Sequence, residues 1–223
     1  MNIIKSVTVL ALCLSCRHLS AQDSTFKLGI RLGGGMSVTT GLDKILVPED
    51  YYSNYNFKDK WQLTPTVGVF AQYHVDGSII GVEGGFSYWQ KASQLVYNDN
   101  KELNYKVTPR YNYIGVSALL KIYPWRKGFN ISIGGRAGAN LNGKGISYES
   151  NQEESKFANY HFATVAETER LMKEKLTGQP DIAVGGGFGY EIDHHWAVDL
   201  RYFYGLNSTI KTEHNDYNWA EHS

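Results

Sequence analysis

The 223-residue chain carries 22 Lys and Arg against 22 Asp and Glu, a formal net charge of zero. That balance supplies no electrostatic case for nucleic acid or for a strongly acidic partner. With 23 Gly, 16 Tyr and only 5 Pro, the composition argues against a helical bundle and against a disordered chain, and suits twisted strands with aromatic belts.

Residues 1–21 read as a signal peptide. Lys5 supplies a positive start, Ser6 to Cys16 a short apolar core, and Leu19-Ser20-Ala21 small residues before a cut ahead of Gln22. The core is too short to span a bilayer as a helix. Two other readings stand beside this one. The segment could be a buried N-terminal strand. It could also be a lipoprotein signal at Cys16, which Leu14-Ser15-Cys16 fits in part, although Cys13 holds a position usually given to a large aliphatic residue. Both cysteines lie here, so a mature chain 22–223 is expected to have no disulfide, thiol nucleophile or thiolate metal site.

From Phe26 onward the apolar residues alternate with period two, the signature of strands with unlike faces. Phe26, Leu28, Ile30 and Leu32 begin the series. Leu63, Val67, Val69, Ala71, Tyr73 and Val75 share one face of a second strand, and Ile80, Val82, Phe86 and Tyr88 one face of a third. The fourth sets Ile114, Val116, Ala118, Leu120 and Ile122 against Gly115, Ser117, Leu119 and Lys121. The fifth carries Phe129, Ile131, Ile133, Ala137, Ala139 and Leu141; the sixth Ile182, Val184, Phe188, Tyr190 and Ile192; the seventh Trp196, Val198, Leu200, Tyr202 and Tyr204.

The connections alternate in length. Asp76-Gly77-Ser78, Pro124 to Gly128 and Asp193-His194-His195 are short turns. Residues 41–60, 91–108, 142–180 and the tail from Asn207 read as long polar segments. A helix is expected from about Ala163 to Leu176, ended by Gly178 and Pro180. Its apolar stripe of Val165, Met172 and Leu176 is thin, which suits a solvated loop helix.

The faces decide which side meets lipid. The polar sets are mostly Gly, Ser, Ala and Asn with isolated charges: Arg31, Glu83, Arg136, Glu191, Asp199 and Arg201. A solvated surface carries denser Lys and Glu. Small residues with a few opposite charges suit a narrow lumen holding a structural ion-pair network, where an unpaired charge is costly. The apolar faces then look outward. Aromatics gather at both strand ends: Tyr73, Tyr123, Trp125, Phe129, Tyr190 and Trp196 by the short turns, and Trp61, Tyr88, Trp89, Tyr111, Tyr113, Tyr202 and Tyr204 toward the long loops. Two such girdles are expected at two membrane–water interfaces.

The run Tyr113-Ile114-Gly115-Val116-Ser117-Ala118-Leu119-Leu120-Lys121-Ile122-Tyr123-Pro124, followed by Gly134-Gly135-Arg136-Ala137-Gly138, resembles the PorT-like outer-membrane β-barrel family. So do Val184 to Glu191 and Asp199 to Leu206. The resemblance spans nearly all of residues 22–223. It implies an eight-stranded barrel in the outer membrane of a Gram-negative bacterium. The family's namesake is associated with protein secretion, and none of the quoted residues carries that role across. One feature departs from the pattern: seven strands are legible, whereas single-chain bacterial barrels have even numbers. The sequence therefore reads as cut short before its last strand; a strand supplied by another chain is the alternative.

Sites of chemistry are sparse. Gly138-Ala139-Asn140-Leu141-Asn142-Gly143-Lys144 approaches a phosphate-binding loop, but Gly145 stands where Ser or Thr would ligate magnesium, and the segment leaves a strand for a polar loop. Gly33-Gly34-Gly35 and Gly185-Gly186-Gly187 lack dinucleotide spacing. His194 and His195 are adjacent, so on a strand they would point to opposite sides. No catalytic, cofactor-binding or metal residue is predicted. The expected fold is all-β: a small antiparallel up-and-down transmembrane barrel of the eight-stranded type, its last strand missing, with one loop helix. The expected role is non-enzymatic, structural or through loop contacts, in the outer membrane. Expected partners are outer-membrane lipid and a protein met by the extracellular loops, with no nucleic acid, nucleotide or cofactor. A secretion component, a small channel and a soluble periplasmic binding barrel are the rivals.

Overall fold

The computed structural model describes residues 5–16, 26–42, 56–74, 78–98, 103–125, 128–192 and 195–212. Seven long strands follow the alternating segments: β2 (Phe26–Thr39), β3 (Asn56–His74), β4 (Ile80–Asn98), β5 (Asn104–Ile122), β6 (Phe129–Asn140), β9 (Asp181–Glu191) and β10 (Trp196–Ser208). Each pairs antiparallel with the next in the chain, β6 pairing with β9 across the intervening segment. The strand β1 (Lys5–Cys16) lies between β2 and β10 and pairs antiparallel with both. The ring is thereby closed as an up-and-down barrel of eight strands. Closure gives each barrel strand a neighbour on both sides, the condition for burying strands in lipid.

The eighth place differs from expectation. Seven strands are legible from Phe26 onward, and the sequence reads as lacking the eighth. The structure fills that place with the segment read as the leader's apolar core, pairing Leu12 with Leu200 and with Gly34. Lys5-Ser6-Val7-Thr8-Val9-Leu10-Ala11-Leu12-Cys13-Leu14-Ser15-Cys16 is apolar at both parities, so period-two alternation does not mark it as a strand.

The outward face is the apolar one. Phe26, Leu28, Ile30, Leu32, Val67, Val69, Val82, Phe86, Val116, Ile133, Val184 and Phe188 are all exposed. In water this would be an unstable surface; in a bilayer it is a lipid-facing band. Among the described residues no helix is long and apolar enough to cross a membrane, so the strands are the only crossing elements they offer.

Three strands run past that band. β3, β4 and β5 are 19 residues each. At about 3.3 Å per residue such a strand reaches roughly 60 Å, well beyond an apolar band about 25 Å tall even when tilted. Much of residues 56–60, 91–98 and 104–108, expected as loop, is therefore strand. The reason lies in burial: Leu95, Tyr97 and Val107 are buried there, and Tyr97 stacks on Tyr105 with ring centroids 4.4 Å apart. The short strand β7 (Ile146–Ser150) extends this protruding sheet along β5. The strands β8 (Leu176–Gly178) and β11 (Ile210–Thr212) pair in a second small sheet.

The helix α1 (Val165–Lys175) forms within the predicted range. Thr164 caps it, its Oγ1 accepting from the Glu167 N–H at 3.2 Å. It is not a solvated helix. Met172 and the following Leu176 are fully buried in one cluster with Leu42, Leu95, Val107, Tyr111, Ile146, Tyr148 and Ile210, and Val165 packs against it. The thin stripe is enough because β7 and the overhanging ends of β4 and β5 supply the other wall.

Candidate functional site

The lumen holds three charge clusters stacked along the barrel axis. Nearest the short turns, Glu191 pairs with Lys27 at 3.1 Å and accepts a hydrogen bond from the Tyr123 hydroxyl at 2.9 Å. The Gln72 amide donates to Tyr123 Oη at 2.6 Å and to Glu191 Oε1 at 3.1 Å. His74 stacks on Tyr123 at 4.5 Å. Tyr123 thus fills the lumen rather than the lipid girdle expected of it.

The central cluster is built around Glu83. Its carboxylate accepts from Arg31 at 2.8 Å and from Arg201 at 2.9 and 3.0 Å, and pairs with Lys121 at 3.0 Å. Asp199 lies 3.2 Å from Arg201 and 3.5 Å from Arg31. Lys121 also donates to Gln72 Oε1 at 3.0 Å, which ties this cluster to the one below. Side chains reach the lumen at every second residue of each strand, so charges from different strands converge there. Small cross-strand neighbours leave room: Gly68 opposite Arg31, Gly187 opposite Arg201 and Gly189 opposite Asp199. Phe70, also buried, lies under the Arg31 guanidinium at 4.6 Å.

Toward the long loops Asp181 collects the third cluster. Lys91 donates to it at 2.6 Å, Arg136 at 3.1 Å and the Trp89 indole N–H at 2.9 Å. The Arg136 guanidinium is held between the rings of Trp89 and Phe203, at 4.7 and 4.6 Å. Trp89 stacks in turn on Tyr113. A Cβ on Gly138 would overlap the Trp89 ring, so glycine there makes the space the indole occupies.

Of the six charges singled out in the sequence, the structure thus joins Arg31, Glu83, Asp199 and Arg201 in one cluster. It places Arg136 above them and Glu191 below. Lys27, Lys91, Lys121 and Asp181 complete the clusters and were not singled out. Lys27 and Lys121 sit at the same parity as the small residues of their strands, and Asp181 precedes such a series, so alternation carried them. Lys91 falls in a segment that reads as loop.

The aromatic girdles divide in the same way. By the short turns, Tyr73, Trp125, Tyr190 and Trp196 are exposed. By the long loops, Trp61 and Tyr202 are exposed, while Trp89, Tyr111 and Tyr113 are buried inside. Parity is the cause: Tyr88 and Trp89 are consecutive and must face opposite ways, and Tyr111 and Tyr113 share the parity of lumen-facing Ser117.

Above the lumen the protruding sheet and α1 form a cap whose core continues into Trp89 and Tyr113 of the long-loop cluster. Buried Gln152 ties it together, accepting from the Tyr148 hydroxyl at 2.6 Å and donating to Thr168 Oγ1 at 3.2 Å. Glu169 of α1 accepts from the Tyr148 backbone N–H at 3.0 Å. Its hydrogen bond with Lys173 holds its carboxyl below the usual carboxylate range. Burial pushes the Tyr148 phenol up to about 12, and that of Tyr105 well above its ordinary value. The near phosphate-binding loop is a turn from β6 to β7, where the Asn142 amide donates to the Arg110 carbonyl at 2.9 Å. His195 is exposed, and His194 lies outside the described residues.

The model of the outer membrane protein beta-barrel domain covers residues 9–222. The chain belongs to that family. Its fold class is accordingly an all-β outer-membrane barrel. A solved structure of a major outer membrane protein from Thermus thermophilus aligns with 92% of this chain and 99% of its own, at 13% identity and a TM-score of 0.45. No curated protein matches the chain.

Proposed function

We propose that this outer-membrane barrel is a non-enzymatic anchor that carries a rigid contact surface on its long-loop side. The cap is the observation that carries this reading. Its strands continue past the apolar band and bury Leu95, Val107, Ile146, Tyr148, Met172 and Leu176 in a core that runs down to Trp89 and Tyr113 at the long-loop end of the lumen. A barrel needs no such core to sit in lipid; a surface that must keep its shape does. The lumen supports the same reading. Each of its three charge clusters joins side chains of different strands across the bore, which suits a filled interior rather than a water path.

The finer elements of the proposal are a Gram-negative outer membrane, kinship with the PorT-like branch, and export by residues 1–21 as a signal peptide, whose removal would take β1 and leave its place between β2 and β10 to another strand. A second reading, a component of a secretion apparatus, rests on that kinship alone. A deletion strain with unimpaired secretion would remove it.

The test uses the full-length protein in two settings. In planar bilayers it is expected to give no steady conductance, and a stable single-channel current would replace this reading with the channel one. In outer-membrane vesicles, a photo-crosslinker at Tyr160, exposed on the cap, is expected to capture a protein partner. Labelling of lipid alone would overturn the contact role.

A further inference from the structure

The central and long-loop clusters do not balance. Among the described residues they contain Arg31, Lys91, Lys121, Arg136 and Arg201 against Glu83, Asp181 and Asp199. Five cations meet three carboxylates, leaving an excess of two positive charges. All eight side chains are at least nine-tenths buried. A charge taken out of water without a counter-charge is strongly unfavourable, so an excess of this size calls for compensation.

The place for it exists. A cavity of about 60 Å³ lies in the lumen, lined by Arg31, Arg136, Arg201, Ser87, Ser117 and Trp89 among others. Among the described residues no carboxylate lines it. Arg31 Nε and Arg136 Nη2 are buried donors that meet no acceptor within the described residues. Buried N–H groups of charged side chains are rarely left without one. Ser87 and Ser117 add hydroxyl donors on the same wall. On this measure a single water needs only about 10–15 Å³, so the space admits a small ion with a water or two.

We propose that the lumen binds a small inorganic monoanion of the chloride class between Arg31, Arg136 and Arg201. The anion accepts the two orphaned N–H groups, offsets part of the cationic excess, and links the central cluster to the one above it. It thereby holds in register three strands that do not neighbour one another: β2, β6 and β10.

Bromide, a heavier chloride substitute, is the probe. Crystals of the full chain grown in bromide are expected to show an anomalous peak within hydrogen-bond reach of Arg31 Nε and Arg136 Nη2. In detergent, the thermal midpoint is expected to rise with sodium chloride relative to sodium gluconate at equal ionic strength, because binding to the folded state alone stabilises it with the logarithm of ligand concentration. Ser117→Val narrows the cavity while keeping every arginine, and should abolish both the peak and the chloride dependence. If that variant does not fold, the wild-type measurements decide alone. Water only at the site in saturating bromide, or identical midpoints in chloride and gluconate, would overturn the proposal.

Discussion

Glu83 is the residue on which the lumen turns. One carboxylate serves Arg31, Arg201 and Lys121, three cations from three different strands. Removing the charge leaves those cations buried without their shared partner. Glu83→Gln is therefore expected to cost about 3–5 kcal/mol of stability, the range for breaking a buried ion pair from one side. The exposed pair of Lys106 and Glu149, 3.7 Å apart, is the contrast. Lys106→Ala should change stability by less than about 1 kcal/mol. Urea unfolding in lipid vesicles, followed by tryptophan fluorescence, measures both; equal effects would sink the distinction. That Arg31, Glu83, Asp199 and Arg201 face the lumen was legible, because each interrupts a face of small residues. Which of them meet was not. Arg201 and Glu83 are 118 residues apart, and only ring closure brings them together.

At the scale of elements, the cap is where pattern and structure part. Its strands follow the same period-two rule as the barrel, but Asn, Gln, Lys and Ser crowd the segments and made them read as loops. Burial of Leu95, Val107 and Ile146 against α1 overrides that composition. The helix was legible from its Glu, Lys, Ala and Leu content; its docking was not, since three apolar positions do not reveal whether a partner surface waits. Met172→Lys puts a charge into that fully buried position. It is expected to detach α1 and expose residues 151–180 to protease while the barrel keeps its compact, heat-sensitive form on gels. Loss of that form would mean the cap and barrel fold as one unit.

Alkali probes the same element. The Tyr148 phenol, pushed up to about 12, is favoured in its neutral form by the folded cap. Its contribution is fully present below the unfolded value, about 10, and is lost as pH rises from there toward 12. A phenolate absorbance titration should show a late component that Tyr148→Phe diminishes by one tyrosine, Tyr105 remaining late. An unchanged curve in that variant would assign the late component elsewhere.

For the whole molecule closure turns on the seam between β2 and β10. In the structure β1 closes it, and β1 is the segment whose charge and apolar core predict a leader. If export removes residues 1–21, β2 and β10 become edges whose backbone groups must be paired by another strand, since unpaired groups in lipid cost several kcal/mol each. Intact-mass analysis of protein extracted from outer membranes is expected to place the mature start at Gln22. A retained Lys5–Cys16 would instead make β1 the barrel's own eighth strand. Seven strands from Phe26, the face each presents and the inversion that turns apolar residues outward are all readable along the chain. These are local properties, set by a pleat that repeats every two residues. Which charges pair, the inward turn of Trp89, Tyr111, Tyr113 and Tyr123, and the joining of the first and last strands emerge from the folded barrel. Those depend on closing the sheet into a ring, and no repeat along the chain encodes which residues then meet across it.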